Sequence, residues 1–134
     1  MREAIPAPDA PTPAGSYSPA IRAGGFIFLS GQTPRRPDGT RLIGEPFDVQ
    51  VRQALDNLQA VARAAGASLA DAVKVGVFVR PGADTAAFDA IYREYVVPPL
   101  PARTLTVSDL AIGDVEVDAI LHLPAGRAGA DRSS

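Results

Sequence analysis

The chain has 134 residues, of which 46% are hydrophobic and 21% are charged, so we predict one compact domain and exclude a mainly disordered protein. Thirteen basic and fifteen acidic residues give a net charge of −2 without a basic block, which argues against nucleic acid as a partner. The absence of cysteine excludes disulfides, thiolate metal sites and cysteine nucleophiles. No apolar run reaches the roughly 18 residues of a membrane span, and no signal-peptide pattern is present, so we expect a cytoplasmic protein without a membrane partner.

The N-terminal part of the chain divides into a proline-rich segment and a pair of strands. Residues 1–15 carry few large apolar side chains, and we expect them to lie extended or disordered over the surface. Residues 21–29 are apolar and β-rich, and Gly24 and Gly25 interrupt them, which predicts two strands joined by a turn. The single folded domain is expected over residues 16–124, followed by a disordered tail over 125–134.

Two helices are predicted in the middle of the chain. Apolar residues recur every three to four positions from Phe47 to Ala65, as on a helix with one buried face, and Gly66 suits its C-terminal cap. The sequence from Ser68 to Asp71 matches a capping box that begins a short helical turn. A second helix follows the N-cap residue Asp84 and ends before the prolines at positions 98, 99 and 101.

Three further strands complete the pattern. Valines at positions 73, 75, 77 and 79 alternate with other residues, which predicts a strand with one valine face in the core. Residues 103–107 and 115–123 are the other two strands. The order β-β-α-β-α-β-β predicts an α+β sandwich of two layers, with both helices on one sheet face. Phe78 and Ile120 lie on the uncovered face, and self-association would bury them.

The familiar catalytic and cofactor motifs are missing. His122 is the only histidine, and it lies within a predicted strand, where a partly exposed structural histidine is the expected role. One histidine also argues against a transition-metal site. The glycine-rich stretches match no phosphate-binding loop. The polar residues that remain as candidates are Tyr17, Ser30, Arg103, Glu116 and Asp118.

Arg103 is the most informative of these candidates. It begins a strand directly after a stiff proline-rich arm, which makes its guanidinium a preorganised fork for a small organic acid. The alternative is a salt bridge within the chain to Asp109, Asp118 or Glu116. Glu116 and Asp118 share one face of the last strand, either as functional carboxylates or as solvated surface charges.

Five motifs in register resemble one known family. They span residues 15–123 and are Ser16-Tyr17-Ser18-Pro19-Ala20, Phe28-Leu29-Ser30-Gly31-Gln32-Thr33-Pro34, Gln53-Ala54-Leu55-Asp56-Asn57-Leu58, Pro101-Ala102-Arg103-Thr104 and Val115-Glu116-Val117-Asp118-Ala119-Ile120. Together they resemble the Rid family, also called YjgF/YER057c. The resemblance implies a chorismate-mutase-like fold, a homotrimer with clefts between subunits, and hydrolysis of reactive 2-imino or enamine acids to 2-keto acids and ammonia. It implies no metal or cofactor.

The resemblance also implies roles for individual residues. Arg103 corresponds to the carboxylate-binding arginine, assisted by the backbone amide of Gly31. Tyr17 and Ser30 correspond to residues that line the cleft. Tyr17 is expected to be catalytic, together with Arg103 and Asp118. Substrate contacts are thus expected from Ser30, Gly31, Asp89, Arg103 and Leu105.

Two positions depart from the family pattern. Asp118 is aligned with a family glutamate that orients the attacking water together with the backbone carbonyl of Leu105, and aspartate is one methylene shorter. Glu116 lies one step away on the same strand face and is expected to be a poor substitute. Asp89 is aligned with a family asparagine and would add negative charge near an anionic substrate.

Three functions agree with these residues. The first is deamination of imino acids, a form of metabolite damage control. The second is a non-catalytic trimer that binds a keto acid or similar metabolite at Arg103. The third is a pathway-specific hydrolase that acts on another enamine, such as an aminoacrylate or aminomuconate-type compound.

Overall fold

The computed structural model describes residues 1–124, so the tail predicted over 125–134 lies outside the described residues. A six-stranded sheet is covered on one face by two helices, which confirms the α+β prediction. The strands are β1 (Arg2–Ile5), β2 (Ala20–Ala23), β3 (Phe26–Gln32), β4 (Ala72–Val79), β5 (Ala102–Val107) and β6 (Val115–His122). The helices are α1 (Phe47–Ala64) and α2 (Thr85–Tyr92), and a short 3₁₀ turn spans Leu69–Asp71.

The strands are arranged in the order β1-β2-β3-β6-β4-β5. All neighbouring pairs are antiparallel except β4 and β5, which are parallel because α2 connects them. β5, the strand that contains Arg103, is therefore one edge of the sheet.

The sheet has one more strand than the sequence pattern predicted. β1 lies within residues 1–15 and pairs with β2, with Arg2 opposite Ala23 and Ile5 opposite Ala20. The prolines begin only at Pro6, so the four residues of β1 keep their amide donors and can join the sheet. Burial of Ile5, which is 5% exposed, fixes this edge strand to the core.

The valine face of β4 is shorter than predicted. Val75, Val77 and Val79 are buried, but Val73 is 43% exposed. The register against β6 shifts between Ala72 and Lys74, so Val73 is the extra residue of a bulge and points away from the core. Ala72 takes the buried position in its place.

Capping contacts confirm the predicted end of α1 and the predicted starts of the 3₁₀ turn and α2, but α2 ends at Tyr92, earlier than the prolines from position 98 that were predicted to end it. Gly66 follows α1 with φ 81°, a left-handed conformation that glycine adopts without a steric penalty. The Ser68 side chain accepts a hydrogen bond from the Ala70 amide, and Asp71 accepts one from the Ser68 amide. The Asp84 carboxylate accepts a hydrogen bond from the Ala87 amide at the start of α2.

The sheet face opposite the helices is open. Phe26 and Phe28 are each 43% exposed on this face, and Phe78 and Ile120 are half-buried beside them. None of the helices within residues 1–124 is long and apolar enough to cross a membrane.

Candidate functional site

Arg103 lies on the helix-covered side of the sheet. Its Cα is in register with Val75, whose side chain is buried beneath the helices. The guanidinium lies over the ring of Tyr92, with its carbon 4.9 Å from the ring centroid, and its Nη1 is 2.8 Å from Asp89 Oδ1. The intrachain ion pair of Arg103 is therefore with Asp89 on α2, and not with one of the three acidic residues considered from the sequence.

Asp89 lies between two arginines. Its Oδ2 is 3.0 Å from Nη2 of Arg93, one turn later along the chain, while Oδ1 accepts from Arg103. The hydrogen bond from Arg103 is the main reason that the pKa of Asp89 lies below its ordinary value, so the carboxylate is ionised at neutral pH. The Asp89 charge thus occupies one side of the Arg103 guanidinium.

A second group of candidate residues meets on the open face of the sheet. A cavity of about 340 Å³ is lined by Tyr17, Ser30, Gly31, Thr33 and Glu116. Ser30 Oγ donates to the Ser18 carbonyl at 2.6 Å, which holds the strand β3 against the preceding loop. Tyr17 is 48% exposed, and its hydroxyl accepts from the Ala14 amide.

Gly31 allows the Glu116 carboxylate to lie directly over the backbone of β3. A Cβ atom at position 31 would be 2.2 Å from Glu116 Oε2, closer than any real contact. Burial raises the pKa of Glu116, and the nearby charge of Asp118 raises it further. A carboxylate with a raised pKa beside a polar cavity has the properties of a general base.

Asp118 is on the same strand face but has different contacts. Its Oδ1 accepts a hydrogen bond from the Gly76 amide of β4 at 3.1 Å, and it does not line the Tyr17 cavity. Burial raises the pKa of Asp118, while the Gly76 hydrogen bond and the Lys74 charge act in the opposite direction. The carboxylate that lies with Tyr17, Ser30 and Gly31 is therefore Glu116.

The two groups of residues lie on opposite sides of the sheet within one chain. Arg103 and Asp89 face the helical layer, whereas Tyr17, Ser30, Gly31, Glu116 and Asp118 belong to the open side. The side chain of Leu105 packs against the core from β5, in register with Val77, so only its backbone is a candidate for substrate contact. A single chain does not bring Arg103 together with the candidates on the open side of the sheet.

Comparison with known proteins assigns the chain to a family. The sequence profile of the Ribonuc_L-PSP family, described as Endoribonuclease L-PSP, matches residues 7–123. A RutC family protein of Pyrococcus horikoshii is 38% identical over 124 residues, which cover 91% of this chain and 98% of that protein. The chain belongs to this family, the YjgF/RutC/Rid family.

Two further proteins are similar to this chain over most of its length. A protein of Dermatophagoides farinae named 2-iminobutanoate/2-iminopropanoate deaminase is 35% identical over 119 residues, covering 87% of this chain and 93% of that protein. The crystal structure of E. coli TdcF with bound serine superposes with a TM-score of 0.81 at 28% identity, covering 90% of this chain and 98% of that one.

Asn57 supports the loop beside the Tyr17 cavity, a role that the sequence motif containing it did not indicate. It is 2% exposed on α1, and its Nδ2 donates to the carbonyls of Arg35 at 2.6 Å and Thr33 at 3.2 Å. These bonds hold the loop after Gly31, which includes the cavity residue Thr33. A side-chain amide among the mostly apolar buried residues of α1 was the signal that could have identified it, and Gln50 is a second such residue.

The single histidine of the chain, His122, is a surface residue of the sheet. The His122 side chain is exposed on β6, with its ring centroid 5.1 Å from that of Phe26. Within residues 1–124, no group of three or more histidine, aspartate or glutamate side chains is arranged to hold a metal ion.

Proposed function

We propose that this protein hydrolyses reactive 2-imino or enamine acids to 2-keto acids and ammonia, in an assembly of identical subunits. The observation that carries the proposal is the Arg103 guanidinium, which Asp89 and the Tyr92 ring hold at the edge of the sheet. A planar fork of this kind is suited to a substrate carboxylate. The deaminase named in Dermatophagoides farinae and the serine-bound TdcF structure support a small amino-acid-like ligand.

The assembly is part of the proposal because one chain separates its candidate residues. Arg103, with the cavity next to it on the α2 side, and the Tyr17 cavity lie on opposite sides of the sheet, so they can face one substrate only across an interface between two copies. The exposed Phe26 and Phe28 side chains on the open face supply apolar area for such an interface. The resemblance to the Rid family is the reason to propose three copies.

In this arrangement, the substrate carboxylate binds Arg103 of one copy and the backbone amide of Gly31 of the next. This contact places C2 of the protonated imine beside the Glu116 carboxylate. Glu116 accepts a proton from a water as the water oxygen bonds to C2, which forms a carbinolamine. Glu116 then returns this proton to the amino nitrogen, the C–N bond breaks as ammonia leaves, and the hydroxyl proton passes to solvent as the carbonyl group forms. Charge-assisted hydrogen bonds from arginine contribute on the order of 1.5–3 kcal/mol each, enough to fix this orientation.

Glu116 is proposed for the water-orienting role in place of Asp118. Its carboxylate lines the cavity together with Tyr17 and Ser30, whereas the Asp118 carboxylate is engaged by the Gly76 amide. Asp118 then acts on the reaction through its charge, which contributes to the raised pKa of Glu116. Tyr17 and Ser30 line the same cleft.

The decay of 2-iminopropanoate and 2-iminobutanoate tests the proposal. An amino acid oxidase generates each imine in the presence of semicarbazide, and the trapped semicarbazone is measured with and without protein. We expect wild-type protein to reduce trapping because it hydrolyses the imine first. Arg103→Ala should lose this effect, while Arg63→Ala, which removes an exposed arginine at the end of α1, should keep it.

The oligomeric state of each variant is measured in parallel by light scattering. Full activity in assembled Arg103→Ala would remove the arginine from the mechanism. Binding of 2-keto acids by wild-type protein without faster imine decay would instead indicate the non-catalytic metabolite-binding alternative. Faster decay of an aminoacrylate-type enamine alone would indicate the pathway-specific hydrolase.

A further inference from the structure

The cavity next to Arg103 has apolar walls for which the proposed reaction gives no role. A cavity of about 370 Å³ lies between α2 and the arm that leads into β5. Asp89, Arg93 and Arg103 form its polar side. The rest of its lining is formed by Tyr92, Val96, Leu100 and Pro101. A cavity with an arginine at one side and apolar walls at the other fits a ligand with a carboxylate and an apolar body.

The guanidinium has one edge available for such a ligand. Nη1 of Arg103 donates to Asp89, and the Tyr92 ring supports the guanidinium plane. Within residues 1–124, neither Nη2 nor Nε of Arg103 has a hydrogen-bond partner. These two nitrogens can donate to both oxygens of one carboxylate, which would fix the ligand carboxylate at the Arg103 side of the cavity.

Part of the apolar wall is exposed to water, and a ligand side chain would cover it. Leu100 is 63% exposed, while Tyr92 and Val96 beneath it are 5% and 7% exposed. The neighbouring prolines at positions 98, 99 and 101 restrict the backbone that carries Leu100. An alkyl or aryl group placed against Leu100 would be removed from water together with it.

We propose that the protein selects 2-imino acids with a larger apolar side chain, such as those derived from leucine, methionine or phenylalanine, over the imine of alanine. This inference rests on the proposed function, because it assigns the substrate carboxylate to Arg103. Each methylene that a ligand buries strengthens binding by about fourfold. The isobutyl group of a leucine-derived substrate has three more carbons than the methyl group of an alanine-derived one, so partial burial is sufficient for a preference of about tenfold.

Binding of stable 2-keto acids to the full chain tests this inference independently of turnover. The affinities of 4-methyl-2-oxopentanoate, pyruvate and 2-oxoglutarate are measured by isothermal titration calorimetry at pH 7. We expect 4-methyl-2-oxopentanoate to bind about tenfold more tightly than pyruvate. Leu100→Ser should reduce this ratio to about twofold and leave the pyruvate affinity unchanged, because it removes one apolar wall and no polar group.

Ile43→Ser is the matched control, since Ile43 is 62% exposed and does not line the cavity. It should leave both affinities unchanged. Equal affinities for the three acids, tightest binding of 2-oxoglutarate, no binding of any acid, or an unchanged ratio in Leu100→Ser would each overturn the inference. Selective binding without imine hydrolysis would overturn the proposed function alone, and hydrolysis without selective binding would overturn this inference alone.

Discussion

The Asp89 carboxylate accepts a hydrogen bond from Nη1 of Arg103 across 2.8 Å, next to the guanidinium edge where a substrate carboxylate is proposed to bind. The ion pair with Asp89 orients the Arg103 guanidinium and partly neutralises its positive charge. Arg93 contacts the other oxygen of Asp89 from an exposed position, so its charge is screened by solvent more than that of Arg103. Asp89 therefore both positions the guanidinium and competes with an anionic ligand for it.

Asp89→Asn separates these two effects. Asparagine retains an oxygen that can accept from Arg103 but has no charge, so we expect the affinity for pyruvate to rise about fivefold, equivalent to roughly 1 kcal/mol for a partly exposed charge pair. Calorimetry at pH 7 measures the change. Asp48→Asn, on the exposed first turn of α1, is the control for the same change in net charge. A weaker affinity in Asp89→Asn would mean that orientation of Arg103 is the dominant effect.

A comparison of Glu116→Gln with Asp118→Asn tests which carboxylate assists the water. We expect Glu116→Gln to lower kcat for imine hydrolysis by about 100-fold with little change in KM, as for loss of a general base. Asp118→Asn should lower kcat by less than about tenfold, since its carboxylate is engaged by the Gly76 amide. The reverse order of the two effects would assign the water to Asp118.

The pH dependence of the reaction follows from the same pair. Burial and the Asp118 charge raise the pKa of Glu116, so the rate should decline on acidification at a pH above the ordinary carboxyl range of about 4.3. Asp118→Asn removes the repulsion and should move this decline to lower pH. An unchanged pH profile of kcat/KM in that variant would show that another group controls the acid limb.

The free energy of unfolding should depend on pH in the opposite direction to the reaction rate. A folded-state pKa above the unfolded value means that the folded protein binds more protons in the interval between the two values. The free energy of unfolding should therefore decrease as the pH rises from the ordinary carboxyl range through the raised values of Glu116 and Asp118. In Asp118→Asn, this decrease should be smaller in urea unfolding measured across the same interval.

Sequence patterns predicted the elements of this fold where the local pattern is strong. The spacing of apolar residues in α1 and the alternation in β6 correspond directly to their buried faces. The strand β1 was missed because four residues before a proline-rich segment carry little pattern, and their pairing with β2 is a long-range contact. The bulge at Val73 was missed because alternation continues through it in the sequence while the register changes in three dimensions.

The candidate site could be predicted only in part for a related reason. Tyr17, Ser30 and Gly31 line one cavity, since Tyr17 precedes β2 by a short loop and the other two belong to β3. The choice between Glu116 and Asp118 depends on which neighbouring strand each carboxylate contacts, β3 or β4. The partner of Arg103 depends on the packing of α2 against β5, which the spacing of residues along either element does not determine.

Phe28 offers a test of the assembly that the proposed site requires. Its side chain is 43% exposed on the open sheet face, and in register with Ile120 of β6. A carboxylate at this position would be buried without a partner in any interface that covers the face, so Phe28→Asp should dissociate the assembly while each chain stays folded. Light scattering measures the mass, and circular dichroism measures the fold.

Val49→Asp is the control for Phe28→Asp, because Val49 is 37% exposed but lies on α1, away from the open face. It should leave the assembly intact. Imine hydrolysis should be lost together with the assembly in Phe28→Asp, since Arg103 of one copy would no longer face Glu116 of another. An active monomer would contradict the division of the site between two copies, and it would require Arg103 and Glu116 to act on one substrate from opposite sides of the same sheet.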